Sequence, residues 1–308
     1  MKGKYFTING ILFGSVLSFL LSYLGAYYWL FDYFSHFRMY YFFFFIAVLL
    51  FSLWKKDRAK VILFALLSLV IGLEILPFYY PPEEYPDTER LKVGGINVWS
   101  SNKEYQRVRE FIEKEDFDVF VLQELTPHWE REMAPLLAVY PHYRMAPRTG
   151  NYGIGIFSKI PFKKIEELYL NEVDHLSFLA EFDFNKESIV LLGIHTVAPV
   201  DANGFKIRNS EFKRINSLVR EQRKSTIVIG DLNCSGFSAN MNRLTKETGL
   251  VDSRYGFGIQ NSWHTQMPLV SASIDHCFVS EDLKVTDRRT GPNIGSDHYP
   301  LIVELIRE

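Results

Sequence analysis

Cysteine is almost absent. Cys234 and Cys277 are the whole complement in 308 residues. Both adjoin motif residues, and their reading as small buried apolar side chains outweighs a disulfide, so they leave the redox compartment open. A basic excess is also missing. The chain carries a net −2. Its first 80 residues set seven Lys/Arg against Asp32, Asp57 and Glu74, a net +4 that leaves −6 for residues 81–308. Non-specific affinity for duplex phosphates comes largely from Lys and Arg, so an acidic domain is a poor general binder of nucleic acid. Neither an internal repeat nor a low-complexity tract is present. Charge is missing altogether from residues 5–31, a run long enough to span a bilayer as a helix.

Two further apolar runs follow. Residues 39–54 are uncharged and can extend back through 33–37, and residues 61–80 are interrupted only by Glu74. Together they predict a three-helix transmembrane anchor over residues 1–80, with a cleaved signal peptide as the rival reading of residues 1–30. Lys2, Lys4 and the loop Lys55-Lys56-Asp57-Arg58-Ala59-Lys60 carry the positive charge, whereas the other loop has only Arg38 against Asp32. Positive charge stays inside, so the N-terminus and the 55–60 loop are expected in the cytoplasm. Three crossings then make a multi-pass plasma-membrane protein whose following domain, residues 91–308, is expected to be extracytoplasmic. Glu74, three residues before Pro77, reads as an interfacial carboxylate rather than an intramembrane functional acid. A polar, proline-rich linker over residues 81–90 reaches at most roughly 33 Å. It holds a domain of residues 91–308 near the bilayer.

From residue 91 the pattern alternates. Strand-like runs occupy 91–99, 118–123, 153–158, 176–184, 188–195, 226–229, 274–279 and 301–305. Helical spacing covers 103–115, 127–139, 205–222 and 239–248. Val108, Phe111 and Ile112 mark one helix face, and Pro127 suits a first helical turn. Interleaved strands and helices predict an α/β sandwich, two packed sheets with helices outside, behind the three-helix anchor.

Polar residues stand where buried strands stop. The run 119–122 leads to Glu124, the run 190–194 to His195, and the run 227–229 to Asp231 and Asn233. Gly230 lets the backbone turn tightly and clears the approach to a substrate. With Asn97, Ile274-Asp275-His276 and Ser296-Asp297-His298, strand ends offer three Asp, one Glu, two Asn and two His. Hard oxygen ligands beside imidazoles suit a divalent cation working on a phosphate ester. A lone Asp after a strand is commonly a turn or cap, and the joint pattern is what carries the chemistry. Other residues are more ambiguous. His276 alternates away from Asp275. His264 is a loop residue or a substrate contact, Tyr152 a cleft wall or packing, and Arg208 a solvated helix face or a phosphate contact.

The order Asn97, Gln123-Glu124, His195, Gly230-Asp231-Leu232-Asn233, Ile274-Asp275-His276, Ser296-Asp297-His298 resembles the endonuclease/exonuclease/phosphatase superfamily over residues 91–306. That superfamily includes pancreatic deoxyribonuclease, exonuclease III, bacterial sphingomyelinases and inositol-polyphosphate 5-phosphatases. The preceding spans resemble a bacterial subgroup, the teicoplanin-resistance-type membrane proteins, whose proposed substrates are lipid-linked pyrophosphates. The resemblance implies Glu124 as principal Mg2+ ligand, with Mn2+ as the alternative ion, and Asn97 and Asp297 completing or supporting the metal shell. It implies that Asp231 orients or deprotonates the attacking water and that Asn233 donates to a phosphate oxygen. His298, held by Asp275, stabilises the phosphoryl group or acts as base, and His195 contacts the phosphate from the other side. The expected partners are the bilayer and a phosphorylated lipid or small molecule. A surface-tethered nuclease is the runner-up, and a non-catalytic binding module is the weakest reading.

Overall fold

The computed structural model describes residues 2–83, 85, 86, 88–173 and 175–308. Glu84 and Asp87 of the expected linker lie outside the described residues. Four helices lead the chain: α1 (Lys2–Ser22), α2 (Trp29–Phe34), α3 (Arg38–Lys55) and α4 (Arg58–Ile75). Lys56, in the left-handed region at φ 57°, closes α3, and the Asp57 side chain caps α4 by accepting from the Lys60 N–H. Phe19, Phe45, Phe64 and Ile71 pack α1, α3 and α4 together. Arg38 pairs with Glu74 at 3.3 Å.

The expected anchor of three spans is corrected here. Among the described residues two stretches, Trp29–Lys55 and Arg58–Tyr79, are long and apolar enough to cross a bilayer, and the apolar helix Thr7–Ser22 is shorter. The uncharged run 5–31 is not one helix. The chain turns over residues 23–28, and α2 carries Asp32 into a buried ion pair with Arg208, 2.7 Å from Oδ2 to Nη2. Counting apolar residues cannot register a partner so distant in sequence.

Among the described residues twelve strands follow. The first six are β1 (Leu91–Asn97), β2 (Val119–Gln123), β3 (His142–Ala146), β4 (Ile154–Ser158), β5 (Phe162–Tyr169) and β6 (Leu176–Phe184). The rest are β7 (Glu187–His195), β8 (Ser225–Asp231), β9 (Val251–Asp252), β10 (Asp275–Val279), β11 (Leu283–Thr290) and β12 (Leu301–Arg307). They form two six-stranded sheets, ordered β11-β12-β1-β2-β4-β3 and β5-β6-β7-β8-β10-β9. Among the described residues, only β1/β2 and β7/β8 pair in parallel. Helices α5 (Tyr105–Glu115) and α6 (Pro127–Met133) cover the first sheet, and α7 (Ala202–Glu221) and α8 (Ala239–Thr248) cover the second.

Strand alternation builds this layering. On β8, Ile227 and Ile229 enter the core between the sheets, while Val228 faces Phe212 and Ile215 of α7. Both faces are buried, so the run is continuously apolar. Each such side chain contributes about 1.5–3 kcal/mol on burial. Strands β3, β5 and β11 carry no strong sequence signal because they are partly exposed, and β5 (FKKIEELY) mixes charge through its length. The helix expected over 127–139 stops at Met133, and Ala134–Ala138 tighten into a 3-10 turn at Pro135, which lacks an N–H to continue the ladder. Cys234 and Cys277 are buried and unbridged, and burial pushes both thiols up to about 12.

Candidate active site

Register puts the polar residues together. Asn97 lies beside Gln123 where β1 and β2 end, and His195 lies beside Asp231 where β7 and β8 end. Asp275 opens β10 directly opposite Asp231. The carboxyl ends of both parallel pairs thus meet at one edge of the sandwich, where open α/β sheets place ligands. Gly230 has φ 146°, and a Cβ there would lie 1.9 Å from the Ile194 carbonyl oxygen. The glycine is demanded by the neighbouring strand, which corrects the expectation that it clears the substrate's approach. Glu124 and Asn233 take φ 62° and 45°. Such left-handed residues cost on the order of 1 kcal/mol each and persist where the surroundings over-determine them.

Asp231 is the hub. Its Oδ1 accepts from the Asn233 backbone N–H at 2.9 Å, and its Oδ2 accepts from Asn97 Nδ2 at 3.2 Å. Two imidazoles flank Oδ2, His195 Nε2 at 3.5 Å and His298 Nε2 at 3.6 Å. The far nitrogen of His298, Nδ1, sits 2.8 Å from Asp275 Oδ2, so Asp275 fixes the ring. Glu124 accepts from Asn97 Nδ2 at 3.1 Å and from the Ser100 backbone N–H at 2.8 Å. Asn97 presents its nitrogen to both carboxylates, because its Oδ1 accepts from the Trp99 N–H at 2.9 Å. That orientation supports a metal shell rather than donating an oxygen to it. Asn233 Nδ2 donates to the Thr196 carbonyl at 2.8 Å, which leaves one amide N–H to face a substrate.

Burial sets the charges. It raises the Asp231 carboxyl well above its ordinary range, although His298 pulls the other way. Burial alone would strip the proton from His298, but Asp275 and Asp231 outweigh it and hold the imidazolium well above the ordinary histidine value. Burial resists the charge on Asp275 too, and His298 keeps it ionised. His195, with less compensation, is lowered by burial.

The donor set fits a hard divalent cation. Glu124, Asp231 and Asp297 line one cleft of about 380 Å³, and none of its described lining residues is Lys or Arg. Asp297 Oδ2 accepts from Trp263 Nε1 at 3.2 Å, while its buried Oδ1 has no hydrogen-bond partner among the described residues. Buried carboxylates in such number require a positive partner. Asp231, Asp275 and His298 also cluster tightly enough to ligate an ion. Both nitrogens of His298 already face carboxylates there, so that trio reads as a proton relay, and Glu124 with Asp297 are the residues that would hold the metal.

Residues 95–298 match the Endonuclease/Exonuclease/phosphatase family. The chain belongs to that family. Members of the family depend on a divalent metal. D. rerio TDP2 complexed with a single-strand DNA product is similar in fold, with TM-score 0.62 and 15% identity over 71% of this chain and 100% of that one. A family protein from Bacteroides thetaiotaomicron gives 0.58 and 19% identity over 73% and 100%. Sphingomyelinase C from Streptomyces griseocarneus gives 0.54 and 16% identity over 70% and 99%. No curated protein sequence matches the chain significantly.

The endonuclease/exonuclease/phosphatase cleft also has parts that the motifs do not announce. Tyr33 and His36, from the apolar N-terminal region, line it together with Tyr152, Trp263 and residues 198–200. Ser262 holds Asp275 through its backbone N–H at 3.0 Å, and Ser296 ties the Asn97 carbonyl at 2.7 Å. Arg208 is neither a solvated face nor a cleft residue. It is fully buried, and its Nη1 donates to the Asn233 carbonyl at 3.0 Å. His264 lies outside the cleft lining and accepts from the Gln266 N–H at 3.1 Å, as a loop residue would. His276 points away from Asp275, as its place on the strand predicts, and contacts the Cys234 carbonyl at 2.9 Å.

Proposed function

We propose that this protein is a membrane-anchored, divalent-metal-dependent phosphoesterase. It cleaves a phosphate ester or pyrophosphate at the outer membrane face, with a lipid-linked prenyl pyrophosphate or a phospholipid as substrate. The observation that carries this reading is the common ownership of the cleft: Glu124, Asp231 and His298 share it with Tyr33 and His36 of the apolar region. A bound divalent ion would offset substrate charge and stabilise the leaving oxygen. Asp231, raised by burial, accepts the proton of the attacking water. His298, kept cationic by Asp275 and Asp231, stabilises charge developing on the phosphoryl oxygens. The free N–H of Asn233 and the ring of His195 complete the phosphate contacts.

The same contacts support an orientation. Residues 32–40 and 76–79 touch the sandwich, through Asp32–Arg208, Tyr40–Ser271 and the Phe78 carbonyl, which accepts from the Gly258 N–H at 2.7 Å. The basic turn at Lys55-Lys56 sits at the other end of the 18-residue α3, about 27 Å away. With the basic turn at the far end, the positive-inside tendency supports the reading of an outward-facing sandwich. The test is turnover by the detergent-solubilised full chain on farnesyl pyrophosphate, phospholipid and plasmid DNA, with and without Mg2+. Mg2+-dependent release from a lipid substrate is expected to exceed DNA cleavage. Plasmid nicking without lipid turnover would replace this reading with a tethered nuclease.

A further inference from the structure

We propose that Tyr33 and His36 form a subsite for the apolar part of an amphiphilic phosphate ester, so that the catalytic cleft is complete only with the N-terminal helices docked. This rests on the phosphoesterase reading and adds the residues that select the substrate. The two rings pack at 5.4 Å between centroids with planes 26° apart, and His36 Nδ1 lies 3.2 Å from the Tyr33 carbonyl. They form a rigid pair at one wall of the cleft that holds Asp231 and His298.

Three contacts fix this wall. On one side Asp32 pairs with Arg208 at 2.7 Å, both groups sealed from solvent. Between the two residues in sequence, the Ser35 carbonyl accepts from Ser235 Oγ at 3.1 Å. On the other side, Tyr40 Oη donates to the Ser271 carbonyl at 2.9 Å. The guanidinium that holds Asp32 also holds the Asn233 carbonyl at 3.0 Å, so one side chain positions both the wall and the catalytic loop. Pinning so short a segment at three points against a domain's catalytic edge is unnecessary for a tether that merely keeps the domain nearby.

The chemistry of the wall names its ligand. Tyr33 and His36 share the cleft lining with Tyr152, Pro199, Val200 and Trp263, and Val200 and Tyr152 remain exposed. No Lys or Arg is among the described lining residues to meet the flanking phosphates of a polynucleotide. The wall is continuous with helices whose outer faces carry exposed Leu, Ile and Phe. A phosphate on the catalytic side, with a prenyl or acyl chain leaving along the rings toward those helices, satisfies both halves of the cleft.

The test is binding in the full chain carrying Asp231→Asn, which stops turnover. Farnesyl pyrophosphate is compared with inorganic pyrophosphate, and a dioleoyl phospholipid with its glycerophosphodiester, all with Mg2+ in detergent. The two pairs separate a prenyl from an acyl source. The tailed member is expected to bind more tightly in at least one pair. Tyr33→Ala or His36→Ala should shrink that tailed-over-tailless ratio at least about tenfold, and Tyr33→Phe should retain it. Because the ratio is taken within one sample, general unfolding lowers both members and cannot imitate the result. An unchanged ratio in both alanine variants, or no preference for the tail in either pair, overturns the subsite. Ratios that fall as expected in a protein whose Asp231 form hydrolyses none of these compounds would refute the phosphoesterase reading and leave the subsite standing.

Discussion

Strand β10 separates two buried polar clusters of opposite design. Asp275 faces the cleft and His276, the next residue, faces away from it. On the cleft side Asp231 and Asp275 meet one imidazolium, and Glu124 and Asp297 line the cleft beside Asp231. On the far side Arg254 clamps Asp252, with its Nη2 2.5 Å from Oδ2, and Arg288 Nη1 donates to Gln260. Burial resists the charge on Asp252, yet Arg254 holds its carboxyl below the usual range. That cluster balances its acid with its own cations. The cleft has no Lys or Arg among its described lining residues, and its excess of acid is what a bound divalent ion would complement.

The sharpest way to separate the two clusters is to remove charge from each. Asp231→Asn and His298→Ala should each lower kcat by several orders of magnitude with little change in substrate affinity, because both act on the transition state. Asp231→Asn should hold or raise the melting temperature by removing a buried carboxylate, whereas His298→Ala leaves Asp275 buried without its partner and should lower it. Initial rates and thermal melts on the same preparations check this, and retention of more than about a tenth of wild-type turnover removes the role assigned to that residue.

Across the strand the outcome should invert. Arg254→Met leaves Asp252 buried and unpaired, at about 3–5 kcal/mol. Stability should collapse while the folded fraction keeps its kcat, which thermal melts beside active-site titration would reveal. A smaller effect is expected at the metal shell. Trp263→Phe keeps a ring but loses the N–H to Asp297, so the Mg2+ concentration giving half-maximal rate should rise about tenfold.

The smallest effect concerns pH. Burial, aided by Arg254, pushes the His276 imidazole down to about 3 from 6.5. Between these values the unfolded chain takes up a proton that the folded chain refuses, so this residue's contribution is intact above 6.5 and falls with pH below it. The slope is at most about 1.4 kcal/mol per pH unit. His276→Gln should flatten the loss of melting temperature between neutral pH and mild acid, and an equal slope in the variant would argue against the assignment.

Much of the cleft was legible because its residues end buried strands. Glu124, His195 and Asp231 each follow an apolar run whose periodicity fixes the strand, and parallel pairing then brings those ends together. The remainder was hidden for separate reasons. Arg208 reads as a wet helix face until Asp32, far away in sequence, neutralises it. Tyr33 and His36 belong to a segment whose composition speaks only of lipid. Ser262, Ser296 and Thr196 act through hydrogen bonds to backbone and side chain that no spacing rule encodes. Strands β5 and β11 alternate too weakly to stand out, since one face of each remains wet.

The measurement closest to the central claim is a Mn2+ or Mg2+ titration of the EDTA-stripped full chain, followed by calorimetry and by melting temperature. Saturable binding should stabilise the protein by about 2.7 kcal/mol at a hundred times the dissociation constant, and Glu124→Gln should abolish or greatly weaken it. A wild-type protein that melts identically with and without the ion, and shows no saturable binding, would contradict the reading of the acid-rich cleft as a metal-dependent phosphoesterase site.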